Sequence, residues 1–304
     1  MKQLKIIFIF YSLCFSEAID QDKNIVLLDT IINNSTIKSI NNKHNTILGR
    51  NNDPKLVSDI SKFKLLIRKI SWEIITLPGL RFLTNLIYPS STISYFNVQD
   101  AVAFTIDDGF CGKNNSGGCM VDEVRQLLKF YGANATFFVT GSHCENINSN
   151  TVNLLLKDGN EIANHNMMDW SYENYSIDEF EFDLNLTENI LSSYNQKYFK
   201  WYRAPFGKIN NLMQKVIDKR KLVHVIPDTF AHDSYIPDPY WISKYILRKV
   251  RPGSIILIHM PERGVREWNY QAIKLTLQGL KNSNYKILNL TEINSLQNIN
   301  SINN

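Results

Sequence analysis

From about Gln99 to Glu292 the chain alternates short apolar runs with longer stretches in which apolar residues recur at helical spacing. The runs AVAFTI, ATFFVT, EIANH, KWYRAP, KLVHVI, SIILIHM and YKILNL predict seven strands. Between them, VDEVRQLLKFY, TVNLLLKD, NNLMQKVIDK, YWISKYILRKV and the stretches around Ile177–Leu191 and Trp268–Lys281 predict helices. This order implies an α/β domain over residues 99–292 on a mainly parallel sheet, a class whose sites collect at the carboxyl ends of the strands.

The pattern breaks down on both sides. Residues 19–60 are rich in Asn, Ile, Lys and Ser with no sustained period, and residues 293–304 (INSLQNINSINN) read as a disordered tail. Residues 61–98 include FKLLIRKISWEIITLPGLRFLTNLI, apolar at helical spacing but carrying Lys64, Arg68, Lys69, Glu73 and Arg81. They predict an amphipathic helical extension, either packed on the main domain or lying on a membrane surface, with packing preferred. Residues 1–18 place Lys2 and Lys5 before the apolar run Ile6–Phe15 and end in Ala18, the plan of a signal peptide. The alternative, an anchor helix, falls short of the roughly 20 apolar residues a span requires. A secreted protein, extracellular or in a cell wall, is the expectation.

A 44% hydrophobic composition supports a sizeable core. The net charge of +4 falls to about +3 once the first 18 residues leave, too weak to argue for nucleic acid. Oligomeric state is not legible. Cys111 and Cys119 bracket GKNNSGG and could close a small disulfide loop, leaving Cys144 unpaired; free thiols are the alternative. Sequons begin at Asn33, Asn34, Asn114, Asn174, Asn185 and Asn289, and at Asn134 on the edge of a predicted strand.

Several predicted strands end in a chemically capable group. Asp107 and Asp108 follow AFTI, His165 follows EIAN, Arg203 follows KWY, Asp233 lies in DTFAHD and His259 follows SIILI. Two adjacent carboxylates at the end of a buried strand need compensation. In HNMMD, His165 and Asp169 stand four apart, so a helical turn would turn both to one side, where Asp108 could add a third ligand of one divalent metal. The cation would neutralise one carboxylate of the pair and leave the other, facing Arg203, to act as a base. In the plainer alternative Asp169 caps a helix before Trp170 and His165 is a core residue.

The motifs TIDDG, NHNMMD, RAPFG, DTFAHD and LIH resemble, in order and spacing, those of the polysaccharide deacetylases, the NodB-homology domain of carbohydrate esterase family 4, and most closely its chitin-deacetylase-like eukaryotic members. The resemblance implies a distorted, incomplete (β/α) barrel of seven strands. It implies Asp107 as general base, Asp108 and His165 as metal ligands, Arg203 as the partner of the base, and His259 as general acid. Asp233 would orient that acid, with Asp228 as a rival, and a backbone N–H near Phe206 would face the oxyanion.

Three departures stand out: Asp169 replaces the family's usual second histidine, Phe110 its usual proline, and the Cys111–Cys119 loop enters beside the site. The implied activity is metal-dependent hydrolysis of N-acetyl groups on a GlcNAc-containing glycan, chitin or chitooligosaccharide first. The implied metal is zinc first, with cobalt, manganese or nickel as alternatives. The expected partner is an acetylated polysaccharide or oligosaccharide, with peripheral membrane or wall association open. The rival readings are a carbohydrate-binding or wall-structural protein with little or no turnover, and a metal hydrolase of another bond, which would want more basic residues near the substrate.

Overall fold

The structure is a computed structural model that describes residues 61–303 except 78, 90, 113, 114, 116 and 197–199. Expectations for residues 1–18 and 19–60, and the sequons at Asn33, Asn34 and Asn114, lie outside the described residues.

Parallel strands run side by side in the order β5-β4-β3-β2-β1-β7-β6. They are β1 (Ala101–Gly109), β2 (Thr136–Val139), β3 (Glu161–Asn164), β4 (Trp201–Tyr202), β5 (Val223–His224), β6 (Thr229–Phe230) and β7 (Ile255–His259). An eighth, β8 (Lys286–Leu288), pairs in parallel with the first residues of β1. The path is open between β5 and β6, so the sheet is a curled, incomplete barrel. YKILNL supplies β8, while β6 has only two residues and no apolar run to announce it.

Alternation along the strands sorts the core into two layers. Ala101, Ala103, Phe138, Ala163, Trp201 and Ile255 face the barrel interior. Val102, Phe104, Ile106, Phe137, Ile162 and Ile256 face the helices, so β1 is buried along its length and reads as one apolar run.

The interior is closed by Phe96 and by Leu290 and Ile293, both fully buried. The latter two open a helix over Leu290–Asn303, which corrects the expectation of a disordered tail. The physical reason is that Leu290, Ile293 and Leu296 recur every third residue, so one face of the Asn-rich segment plugs the barrel.

The other α-helices among the described residues are α1 (Lys62–Ile75), α2 (Leu80–Ile87), α3 (Val121–Phe130), α4 (Ser149–Lys157), α5 (Ile177–Leu191), α6 (Asn211–Lys219), α7 (Pro239–Lys249) and α8 (Trp268–Asn282), and the terminal helix is α9. Ser176 and Glu179 form a reciprocal capping box at the start of α5, which fixes where its buried face begins. On α1, Trp72 is buried, donates from Nε1 to the Phe230 carbonyl at 3.3 Å and stacks on His232. Arg68 donates to the Tyr235 carbonyl at 2.8 Å and Lys69 pairs with Asp238, so α1 lies against the segment after β6. Arg81 of α2 pairs with Asp228 at 2.7 Å. Cys111 and Cys119 are joined in a disulfide and Cys144 is free.

Candidate active site

The two carboxylates that end β1 are separated by what each one meets. Arg203, at the end of β4 and buried, donates from Nη1 to Asp107 Oδ1 at 2.5 Å and to Thr105 Oγ1 at 2.9 Å. Its Nε donates to the Val225 carbonyl, and its guanidinium lies 4.0 Å from the centre of the Phe138 ring. These four contacts from three chain segments leave the arginine one orientation. In the β1–β7 register Asp107 stands opposite His259.

Asp108 turns elsewhere through a left-handed backbone, φ 58°. Its Oδ2 accepts from Arg266 Nη1 at 2.6 Å and its Oδ1 lies 3.6 Å from His165 Nε2. Burial alone would raise the Asp108 pKa, but the charge of Arg266, followed by His259, His165 and His143, holds it well below the usual carboxylate range.

His165 Nδ1 lies 2.7 Å from the Arg203 carbonyl, an acceptor, so that nitrogen carries the proton and Nε2 presents its lone pair toward Asp108. Burial keeps its pKa below the ordinary histidine value, against the pull of Asp107 and Asp108, which favours the neutral form a metal ligand must have. One ligand atom each from Asp108, His165 and Asp169 lies within 4.8 Å of the others. Burial, then the charge of Asp108, pushes the Asp169 carboxyl up to about 8, while Arg266 and His259 pull it down. Two carboxylates and a neutral imidazole converging in a buried space are a donor set that fits one divalent cation.

The segment joining His165 to Asp169 is not the helical turn expected; it is a chain of bends with Asn166 at φ 64°. The cause is Asp183 on α5. Its carboxylate accepts from Asn166 Nδ2 at 2.7 Å, the Met167 amide at 2.9 Å and the Tyr172 hydroxyl at 2.8 Å, pulling the backbone out of a helix. The Met168 amide in turn donates to the Tyr172 hydroxyl, and Tyr202 donates to Asn166 Oδ1. Burial raises the Asp183 pKa to about 6 against those hydrogen bonds.

Across the site, His259 Nδ1 lies 3.0 Å from Asp233 Oδ1 and 3.1 Å from Ser234 Oγ, and its amide donates to Asp233 Oδ2 at 2.8 Å. Asn269 on α8 donates to Asp233 Oδ2 and to the His259 carbonyl, while Trp268 Nε1 donates to the Asp233 carbonyl. Burial would lower the His259 pKa, but the charge and hydrogen bond of Asp233 push it up to about 9. Asp228 is committed elsewhere, to Arg81, Ser254 and the Ile255 amide, so of the two rivals Asp233 is the one beside His259.

Phe206 adopts a left-handed φ of 57° in the turn Pro205–Gly207, and its half-buried side chain packs on the cluster around Trp170 and Tyr172. Phe110 is fully buried, against Phe137 and Tyr194. The disulfide loop is tied to the segment after β7: Glu262 Oε2 accepts from the Gly112 amide and Asn115 Nδ2, and Arg263 Nη1 donates to the Cys119 carbonyl. That segment delivers Arg266. Sequence reasoning missed Arg266, Asp183 and Asn269. PERGVREW has no strand end to mark it, Asp183 sits in the middle of α5 and Asn269 in the first turn of α8, where only burial among polar atoms distinguishes them. Of the sequons, Asn174 and Asn185 are exposed, whereas Asn289 is buried with its amide on the Gly159 carbonyl.

The polysaccharide deacetylase family model matches residues 97–224. The bifunctional xylanase/deacetylase of Pseudobutyrivibrio xylanivorans is 23% identical over 205 residues, 66% of this chain; the chain spans 32% of that relative's length. A peptidoglycan-N-acetylglucosamine deacetylase of Bacillus cereus is 28% identical over 210 residues, 65% of this chain and 89% of that one. Among solved structures, a CE4 family pseudoenzyme from Bacillus anthracis is similar with a TM-score of 0.58 at 22% identity, covering 68% of this chain and 69% of that one, a likeness of fold.

Proposed function

We propose, from the match of residues 97–224 to the polysaccharide deacetylase family model, that this chain is a secreted, metal-dependent hydrolase of N-acetyl groups on a GlcNAc-containing glycan, chitin or chitooligosaccharide first. The observation that carries the reading is the placement of Asp107 opposite His259 on adjacent strands, beside the cluster of Asp108, His165 and Asp169. The Bacillus cereus relative, a peptidoglycan-N-acetylglucosamine deacetylase, supports a substrate built on N-acetylglucosamine.

Asp108, His165 and Asp169 would hold one divalent cation, zinc first, with cobalt, manganese or nickel as alternatives. Bound there, the ion would supply Lewis-acid polarisation of the acyl oxygen and the attacking water. Asp107, fixed by Arg203, takes a proton from that water as its oxygen bonds to the carbonyl carbon. A backbone N–H near Phe206 would face the developing oxyanion. His259 has Nδ1 committed to Asp233, so Nε2 is the atom that gives a proton to the leaving nitrogen as the C–N bond breaks. Acetate and a free amino sugar are the products.

A second reading is favoured by one contact: Arg266 occupies an oxygen of Asp108 in a site that already departs from the family pattern at Asp169. It makes the chain a weak or inactive glycan-binding protein on the same barrel. Acetate release from a panel of N-acetylated glycans, by protein loaded with each of the four metals, separates the two. Release supports the hydrolase. Glycan binding without release under any metal replaces it with the binder.

A further inference from the structure

Helix α1 packs on the domain with one face and leaves the other without a partner. Leu65, Trp72 and Thr76 turn inward, while Phe63, Leu66, Ile67, Ile70 and Ile74 recur at three- and four-residue steps on the outside, continued by Leu77. Phe63, Ile74 and Leu77 are 72%, 60% and 73% exposed. A helix of this length runs for about 20 Å. Phe82 and Leu86 of α2 are exposed as well. Scattered exposed leucines need no explanation, but an unbroken apolar row along a helix marks a surface that something covers.

The charges around the row say what covers it. α1 and the neighbouring α7 lie together through Tyr245–Thr76, Arg248–Glu73 and Lys69–Asp238 contacts. Over 62–76 and 238–249 there are seven basic side chains and two acidic ones, Glu73 and Asp238, each already paired with a cation. Lys62, Lys64 and Lys244 are exposed at the edge of this region. A second copy would bring the same excess of positive charge against itself. Residues 19–60 of this chain carry five acidic and five basic side chains and so bring no net negative charge to complement it. An apolar stripe fringed by lysine is suited to anionic lipid, with apolar side chains entering the headgroup boundary and lysines meeting phosphates. No helix among the described residues is long and apolar enough to cross a membrane, which leaves α1 lying on the surface.

We propose that α1 docks this protein on an anionic lipid bilayer through its outward row Phe63–Leu77. The test is co-sedimentation of the full chain with phosphatidylcholine vesicles and with vesicles that also contain phosphatidylserine. Binding to the phosphatidylserine vesicles is expected, weakened by salt. The double substitution Leu66→Ser, Ile70→Ser is expected to reduce it by at least about tenfold, and Lys62→Glu, Lys64→Glu to abolish the preference for anionic lipid. All four positions are exposed, so the thermal midpoint should not move. Absence of vesicle binding, or equal binding of both lipids, overturns the proposal. So does a dimer that the Leu66→Ser, Ile70→Ser variant dissociates, which makes a second copy the occupant. A drop in thermal midpoint in that variant overturns it too, because the row would then be covered by the chain's own N-terminal residues.

Discussion

Arg266 Nη1 donates to Asp108 Oδ2 at 2.6 Å while Asp108 Oδ1 faces His165 Nε2 at 3.6 Å, so one carboxylate is divided between a built-in cation and the rest of the candidate metal cluster. Asp108 and Asp169 bring two negative charges where one carboxylate and two imidazoles would bring one. The guanidinium offsets the difference. It also repels a dication placed on the far side of Asp108. Arg266→Ala is therefore expected to tighten zinc binding by on the order of tenfold and to cost the metal-free protein about 3 kcal/mol, the scale for stripping one partner from a buried ion pair. Zinc titration calorimetry and urea unfolding in chelator measure the two effects. Weaker zinc binding in the variant would mean that Arg266 holds the ligand in place rather than opposing the metal.

Asp183 is the anchor of the loop that carries His165 and Asp169. Asp183→Ala leaves the Asn166 amide, the Met167 N–H and the Tyr172 hydroxyl without their acceptor. Buried donors left unmade cost about 1–3 kcal/mol each, so a loss of about 3 kcal/mol or more in unfolding free energy is expected. Metal affinity should fall by at least about tenfold, because the ligand loop loses its support. A variant with parental stability and affinity would show that the loop is held by other contacts.

The strand ends were legible because a central parallel strand is apolar throughout, which makes a charged residue at its end conspicuous. That is how Asp107, Asp108, His165, Arg203 and His259 could be read from the chain. The bend between His165 and Asp169 was not legible. Four-residue spacing suits a helix, and the override comes from Asp183, distant by fourteen positions and recognisable only once α5 is packed. Arg266 was invisible for a similar reason: its loop owes its path to contacts with the disulfide segment. The helical tail was masked by its Asn content, although the three-residue recurrence of Leu290, Ile293 and Leu296 was present in the sequence.

Metal binding and proton transfer should separate by mutation. His165→Ala removes the imidazole from the ligand cluster and is expected to abolish stoichiometric metal in elemental analysis. Asp107→Asn and His259→Ala leave all three ligands in place. They should keep the metal while each loses at least about a hundredfold in acetate release, the usual scale for a missing base or acid. Full metal content in His165→Ala would remove the cluster as drawn, and a parental rate in either of the others would remove its proposed role.

The pH dependence of the His259–Asp233 pair carries a definite sign. A general acid works protonated, so turnover should fall as pH rises through the His259 pKa of about 9. Asp233→Asn removes the main charge that raises it, leaving burial and the Arg266 charge to lower it against the Asp108 charge alone, so the alkaline limb of the pH–rate curve should move to lower pH. Stability follows the same linkage. A histidine whose folded pKa lies above the ordinary value of 6.5 contributes stability that is complete below 6.5 and lost as pH rises through about 9. Unfolding free energy measured across that window should therefore decline in the parent and decline less in Asp233→Asn. Asn269 and the His259 amide both donate to Asp233 Oδ2, and the asparagine variant can keep one acceptor oxygen for them while the charge is gone. An alkaline limb that stays in place in Asp233→Asn would mean that another group sets it, and His259 would lose its assignment as the acid.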